Sequence, residues 1–137
     1  MLELDRIQNA IPKIVQIEER IPYPAKLPIS HPIRLIKEAE QQIASTHCVI
    51  CGRSDLILEQ HHVAGRANYS DTVTLCESCH DELSNIYQPK WIRTQRNHVE
   101  CYFLGWSDIF HLMWVKTKHP YFYELSKTFA LNARYAK

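Results

Sequence analysis

Two cysteine pairs, Cys48-x2-Cys51 and Cys76-x2-Cys79, constrain this chain more than any other feature it carries. A Cys-x2-Cys pair sets two thiolates on one tight turn, where both reach one tetrahedral ion. Two such pairs complete a closed four-sulfur zinc site. The segment between them, Gly52 to Leu75, is longer than a simple ribbon requires and has room for two strands and a loop. It holds the adjacent pair His61 and His62, and a further histidine, His80, directly follows the last cysteine. The chain has five cysteines. A disulfide scheme would strand one of them, so the doubled spacing favours a metal, and with it a reducing, cytoplasmic setting.

A chain of 137 residues, 45% of them apolar, has the material for one modest core. The opening Met1-Leu-Glu-Leu-Asp5 has neither the basic flank nor the apolar block of a secretory signal. No apolar run approaches the roughly 18 residues of a membrane span, so no membrane partner is expected. Residues 1–29, broken by Pro12, Pro22, Pro24 and Pro28, read as an arm. Residues 30–137 read as a single domain. Its first helix starts at Ser30-His31-Pro32, and Ile33, Ile36, Ala39 and Ile43 carry it towards Thr46. A core over 48–87 then follows as a strand over Leu56–Gln60, a loop over Gly65–Asp71, a strand over Thr72–Leu75 and a helix over Asp81–Tyr87. The extension over 89–137 reads as three helices. Trp91, Ile92, Val99, Tyr102 and Phe103 mark one before Gly105. Trp106, Ile109, Phe110, Met113 and Trp114 mark a second before Pro120, and Tyr121, Leu125, Phe129 and Ala130 a third. The fold class is therefore α+β.

A net charge of +1 does not by itself announce a nucleic-acid partner. After Pro89, however, Lys90, Arg93, Arg96, Lys116, Lys118, Lys127, Arg134 and Lys137 face only Glu100, Asp108 and Glu124. On charge alone that excess is an ordinary solvated helix surface.

The histidines carry the chemistry. His80 opens a helix beside a metal-bound cysteine, while His61 and His62 lie where a strand opens into a loop. Two imidazoles from two elements hold a divalent ion and leave coordination positions open, as a catalytic ion needs. The remaining imidazole can take a proton from water, since its ordinary pKa of about 6.5 lies near working pH. Arg66, in the Gly-Arg-Ala-Asn loop, is a candidate phosphate clamp, because a guanidinium forks onto two oxygens. A solvated loop arginine is the equally simple alternative. Cys101 reads as a small buried apolar residue.

The order Cys-x2-Cys, His-His-Val, polar loop, Leu-Cys-x2-Cys-His and helix resembles the HNH endonucleases with a zinc-stapled ββα-metal core. The likeness spans about Cys48 to Tyr87. It implies that Cys48, Cys51, Cys76 and Cys79 hold a structural Zn²⁺, that His61 and His80 hold a catalytic divalent ion, and that His62 is the general base. It further implies hydrolysis of DNA phosphodiester bonds to 5′-phosphate and 3′-hydroxyl ends, with Mg²⁺ or Mn²⁺, or alternatively Zn²⁺ or Ni²⁺. The family's central asparagine stands five residues before the third cysteine, a position that Asp71 fills here, and Asn68 is the other candidate for orienting His62. Some relatives carry another histidine where this chain has Ser84, so two protein ligands are assigned. The rival reading is a non-catalytic zinc module that binds nucleic acid or protein. That module needs the cysteines but not the three histidines.

Overall fold

A computed structural model describes residues 33, 37, 46–66, 68, 70–92 and 97–135 of the chain. The fold is α+β. Among the described residues it comprises one antiparallel hairpin, β1 (Leu58–His62) and β2 (Thr72–Cys76), and three helices, α1 (Glu77–Glu82), α2 (His98–Thr117) and α3 (Pro120–Tyr135). The arm over residues 1–29 lies outside the described residues. So does most of the helix expected before Thr46, although Ile33 and Lys37 are helical there. Ile33 joins the core, and the Lys37 ammonium donates to the Thr72 carbonyl.

The hairpin register pairs Leu58 with Cys76, His61 with Val73 and His62 with Thr72. One more ladder bond, from the Val63 N–H to the Asp71 carbonyl at 3.1 Å, closes the base of the loop. Gln60 ties the two strands through side chains: it donates to Thr74 Oγ1 and accepts from Thr72 Oγ1. The strand that enters the loop therefore contains both His61 and His62, rather than stopping short of them.

Helix α1 begins inside the second cysteine pair. Cys76 is its N-cap, and the Cys76 Sγ accepts from the Cys79 N–H at 3.4 Å. This cap starts the helix at Glu77, earlier than the composition after Cys79 suggests. A π turn over Leu83–Tyr87 and a 3₁₀ turn over Gln88–Lys90, with Pro89 in its first positions, then lead the chain out.

The largest departure from expectation is at Gly105. The two helices expected on either side of it are one helix, α2, and residues 91 and 92 lie in a turn before it. Asn97 caps α2 by accepting the Glu100 N–H at 2.8 Å. Gly105 does not end the helix, because a mid-helix glycine costs only about 1 kcal/mol relative to alanine, which packing readily offsets. It marks a close approach instead: a Cβ there would lie 1.8 Å from the Val63 carbonyl oxygen. The loop leaving β1 thus rests directly on the α2 backbone.

Helix α2 is packed from two sides. Trp106, Ile109, Phe110 and Met113 are fully buried with Val49, Ile50, Val73 and Leu75 of the cysteine-pair layer, and with Phe122, Leu125 and Phe129 of α3. Where α2 and α3 cross, buried Ser107 and Ser126 each donate to the other's carbonyl at 2.8 Å, so neither hydroxyl is left unmatched. The chain turns between these helices at Lys118, which caps α2 in the left-handed conformation. A second small cluster of Ala64, Trp91 and Cys101 supports the β1–β2 loop from below. No helix among the described residues is long and apolar enough to cross a membrane.

Candidate functional site

The two cysteine pairs converge. Ligand atoms of Cys48, Cys51, Cys76 and Cys79 all lie within 4.8 Å of one another, and the Cys51 and Cys76 sulfurs are 3.7 Å apart. Tetrahedral zinc with bonds of about 2.3 Å sets its sulfurs about 3.8 Å apart, so the cluster fits that ion. Each pair is a matched turn: the Cys51 N–H points at the Cys48 sulfur at 3.5 Å, as the Cys79 N–H does at Cys76. The first turn closes with Gly52 at φ 77°, a conformation that glycine adopts without strain. Cys48, Cys76 and Cys79 are buried, and Cys51 is half-buried. Four sulfurs so close cannot all ionise without a counter-charge. A hydrogen bond from Cys79 holds the Cys48 thiol down to about 5, while the same shared proton and burial push Cys79 up. Burial raises Cys51 to about 11. A cation replacing those protons would resolve the conflict.

Beside this cluster lies a cavity of about 470 Å³, lined by His61, His62, Arg66, Asn68 and His80 among others. Strand β1 delivers His61 and His62, the loop after it delivers Arg66 and Asn68, and α1 delivers His80 one residue after Cys79. The His61 and His80 rings meet edge to face with centroids 5.2 Å apart. Two imidazoles bound to one ion through bonds of about 2.1 Å place their ring centres about 5 Å apart, so this pair also fits a shared cation. Burial, then the neighbouring His80 and His62, lower the His61 pKa to about 4. His61 is therefore neutral at neutral pH, the form in which imidazole binds metal.

One residue of this site was not singled out from the sequence. Glu59 Oε2 lies 3.3 Å from His80 Nδ1. A carboxylate at that distance would favour a proton on Nδ1 and leave Nε2 for a metal, as the outer partners of metal-binding histidines do. Strand alternation was the available signal, since residues 59 and 61 of one strand share a face.

Asn68 and Asp71, the two candidates for the middle position, stand differently in the loop. The Asn68 side-chain amide donates to the Ala64 carbonyl at 2.7 Å, and its backbone N–H donates to the Gly65 carbonyl at 3.1 Å. It thus staples the turn that follows His62, and it lines the cavity. Asp71 is not among the lining residues and joins the loop base through its backbone carbonyl. Arg66 is exposed at the cavity wall. Ser84, one helical turn after His80, and Cys101, buried under the loop, complete parts of the lining. Of the basic residues after Pro89, Arg93, Arg96 and Lys137 lie outside the described residues. No family model, curated protein or solved structure matches this chain.

Proposed function

We propose that this chain is a metal-dependent endonuclease of the HNH type that hydrolyses phosphodiester bonds in DNA. The observation that carries the reading is the cavity in which His61 and His80 meet at 5.2 Å between ring centroids, with His62, Arg66 and Asn68 also lining it. A separate four-sulfur cluster, joined to the cavity by the Cys79–His80 step, supports the assignment of structural Zn²⁺ to Cys48, Cys51, Cys76 and Cys79. That cluster alone would serve a binding module equally well. The three histidines are what such a module would not require.

His61 and His80 are the residues that would hold the divalent ion, with Mg²⁺ or Mn²⁺ as the working ion and Zn²⁺ or Ni²⁺ as alternatives. When bound, that ion would supply positive charge against the phosphorane oxygens and the departing 3′ oxygen. His62 takes a proton from the water that attacks phosphorus in line. The new O–P bond forms as the bond to the 3′ oxygen breaks; the departing 3′ alkoxide takes a proton from solvent water and His62 later returns its own to solvent, leaving a 5′-phosphate and a 3′-hydroxyl. Asn68 holds the turn after His62 in shape through the Ala64 carbonyl, which fixes where that imidazole sits. Arg66 forks onto the non-bridging oxygens and draws the phosphate into the cavity. Glu59 orients His80.

The reading is tested by titrating Mn²⁺ into zinc-loaded protein. His80→Ala should lose specific Mn²⁺ binding, and Glu59→Gln should weaken it about 10–100-fold, with the zinc content unchanged in both. Unaltered Mn²⁺ affinity in His80→Ala, or loss of the tight zinc from it, would show that the two sites are not as assigned.

A further inference from the structure

Four aromatic rings run in a row from the cavity rim across α2 to α3. Tyr87 meets His111 at 5.5 Å between centroids, His111 meets Trp114 at 5.6 Å, and Trp114 meets Tyr123 at 4.9 Å. The row begins beside the cavity, because Gln88 and Ser84 on either side of Tyr87 line it. Tyr87 and Trp114 pack against the edge of the core rather than filling it. Trp106, Phe110, Phe122 and Phe129 fill it and are fully buried, whereas Tyr87, His111 and Trp114 are half-buried and Tyr123 is exposed. Three of the four rings carry a lysine ammonium: Lys90 over Tyr87 at 5.5 Å, Lys118 over Trp114 at 5.8 Å and Lys127 over Tyr123 at 4.9 Å.

The charges around the row favour an anionic occupant. Lys90, Lys118 and Lys127 are exposed, and Lys116 beside them is matched by Glu82 at 2.9 Å. Asp108, on the same stretch of α2, accepts the Trp91 indole N–H at 2.7 Å. Exposed Glu124 is the remaining acid near Tyr123. His111 contributes a neutral ring, because burial and Lys90 hold it below the ordinary imidazole range. Rings alternating with ammonium groups match a chain that alternates flat bases with phosphates, and they match an apolar protein surface poorly. Duplex bases are already stacked on each other, so only unpaired bases can use the ring faces. A lysine parked on an exposed ring is held more weakly than a stacked base. It can therefore give up the ring and turn to a phosphate.

We propose that this row binds an unpaired DNA strand running out of the cavity, with bases stacked on Trp114 and Tyr123 and phosphates held by Lys90, Lys118 and Lys127. The proposal deepens the nuclease reading and rests on it only for the choice of DNA.

The test is fluorescence anisotropy with labelled oligo(dT) and with a duplex of the same length. It uses the full zinc-loaded chain carrying His62→Ala, without added divalent ion, so that cleavage plays no part. Trp114→Leu with Tyr123→Leu should weaken oligo(dT) binding by about tenfold per ring and leave duplex binding within about twofold. Lys118→Asn, chosen because asparagine tolerates the left-handed cap, together with Lys127→Gln should reduce the salt slope for oligo(dT) by about 0.7 per lysine. Unchanged oligo(dT) affinity in a ring variant that melts like its parent would overturn the proposal, as would an equal loss for oligo(dT) and duplex. If the ring variant does not fold, the lysine pair decides, and an unchanged salt slope refutes the proposal. A wild-type chain that binds oligo(dT) through these residues but cleaves nothing would sink the nuclease reading and leave this one standing.

Discussion

Substituting Gly105 with alanine should separate the site's geometry from the stability of the fold. The new Cβ would sit 1.8 Å from the Val63 carbonyl oxygen and 2.6 Å from its carbon, where side chains do not come within 3.0 Å of backbone. The two backbones must therefore part by about 1.2 Å to reach even that limit. Helix α2 is the fixed partner, since Ser107 and Ser126 tie it to α3 and its aromatic residues fill the core. The β1–β2 loop yields instead, and Val63 is the residue next to His62. Overpacking of this kind costs about 1–3 kcal/mol, and the gain in helix propensity returns about 1 kcal/mol. The net loss is about 0–2 kcal/mol, a fall in Tm of at most about 8 °C. A misplacement of about 1 Å at a reacting group, by contrast, costs about 100-fold in rate. Plasmid cleavage measured beside a thermal melt and a zinc assay should thus report a small loss of stability, intact zinc and a rate about 100-fold down. Cleavage by Gly105→Ala at the wild-type rate would refute the claim that this contact sets the position of His62.

Three further outcomes follow from the same geometry. Cys48→Ser should release the zinc and unfold the core in a melt monitored by circular dichroism, because in a site this small the metal-binding energy is folding energy; melting like wild type would remove the structural role. Asn68→Ala should lower the cleavage rate about tenfold or more at unchanged Mn²⁺ affinity, whereas Asp71→Ala should cleave nearly normally, since Asp71 joins the loop base through its backbone carbonyl, which alanine keeps; the reverse order would reassign the middle position. Burial pushes the Asp108 carboxyl up to about 6, against the opposing Trp91 hydrogen bond and Lys90. The folded state therefore holds a proton that the unfolded state gives up from about pH 4, and stability falls as pH rises through that window to about 6. Asp108→Asn should accordingly raise Tm at pH 8 and lose that advantage below about pH 4, and a gain independent of pH would contradict it.

The features legible in the sequence were those with a local signature. The two cysteine turns, the hairpin between them and the histidines at fixed offsets from the cysteines are spacing rules, and folding brings those residues to one place. The features that were not legible depend on contacts between distant segments. Gly105 reads as a helix end because glycine weakens helices, yet the residue that demands it, Val63, lies in another element. Asn68 and Asp71 are equivalent polar loop residues until the loop closes and only Asn68 reaches the Ala64 carbonyl. Glu59 looks like a solvated strand residue until α1 brings His80 to it. The aromatic residues after Pro89 divide into a buried set and a surface row only when α3 packs on α2. Their periodicity does not distinguish the two sets, because both faces of α2 are apolar.

The central claim is that His62 is the base of a hydrolytic metal site. Its most direct measurement is the rate of supercoiled plasmid cleavage by wild type and His62→Ala, both zinc-loaded, across Mg²⁺, Mn²⁺, Zn²⁺ and Ni²⁺. The account predicts nicked and linear DNA with 5′-phosphate ends from wild type, and a rate about 10²–10⁴-fold lower from a His62→Ala protein that still binds the divalent ion. Equal rates in the two proteins, or no cleavage by wild type with any of the four ions, would contradict it.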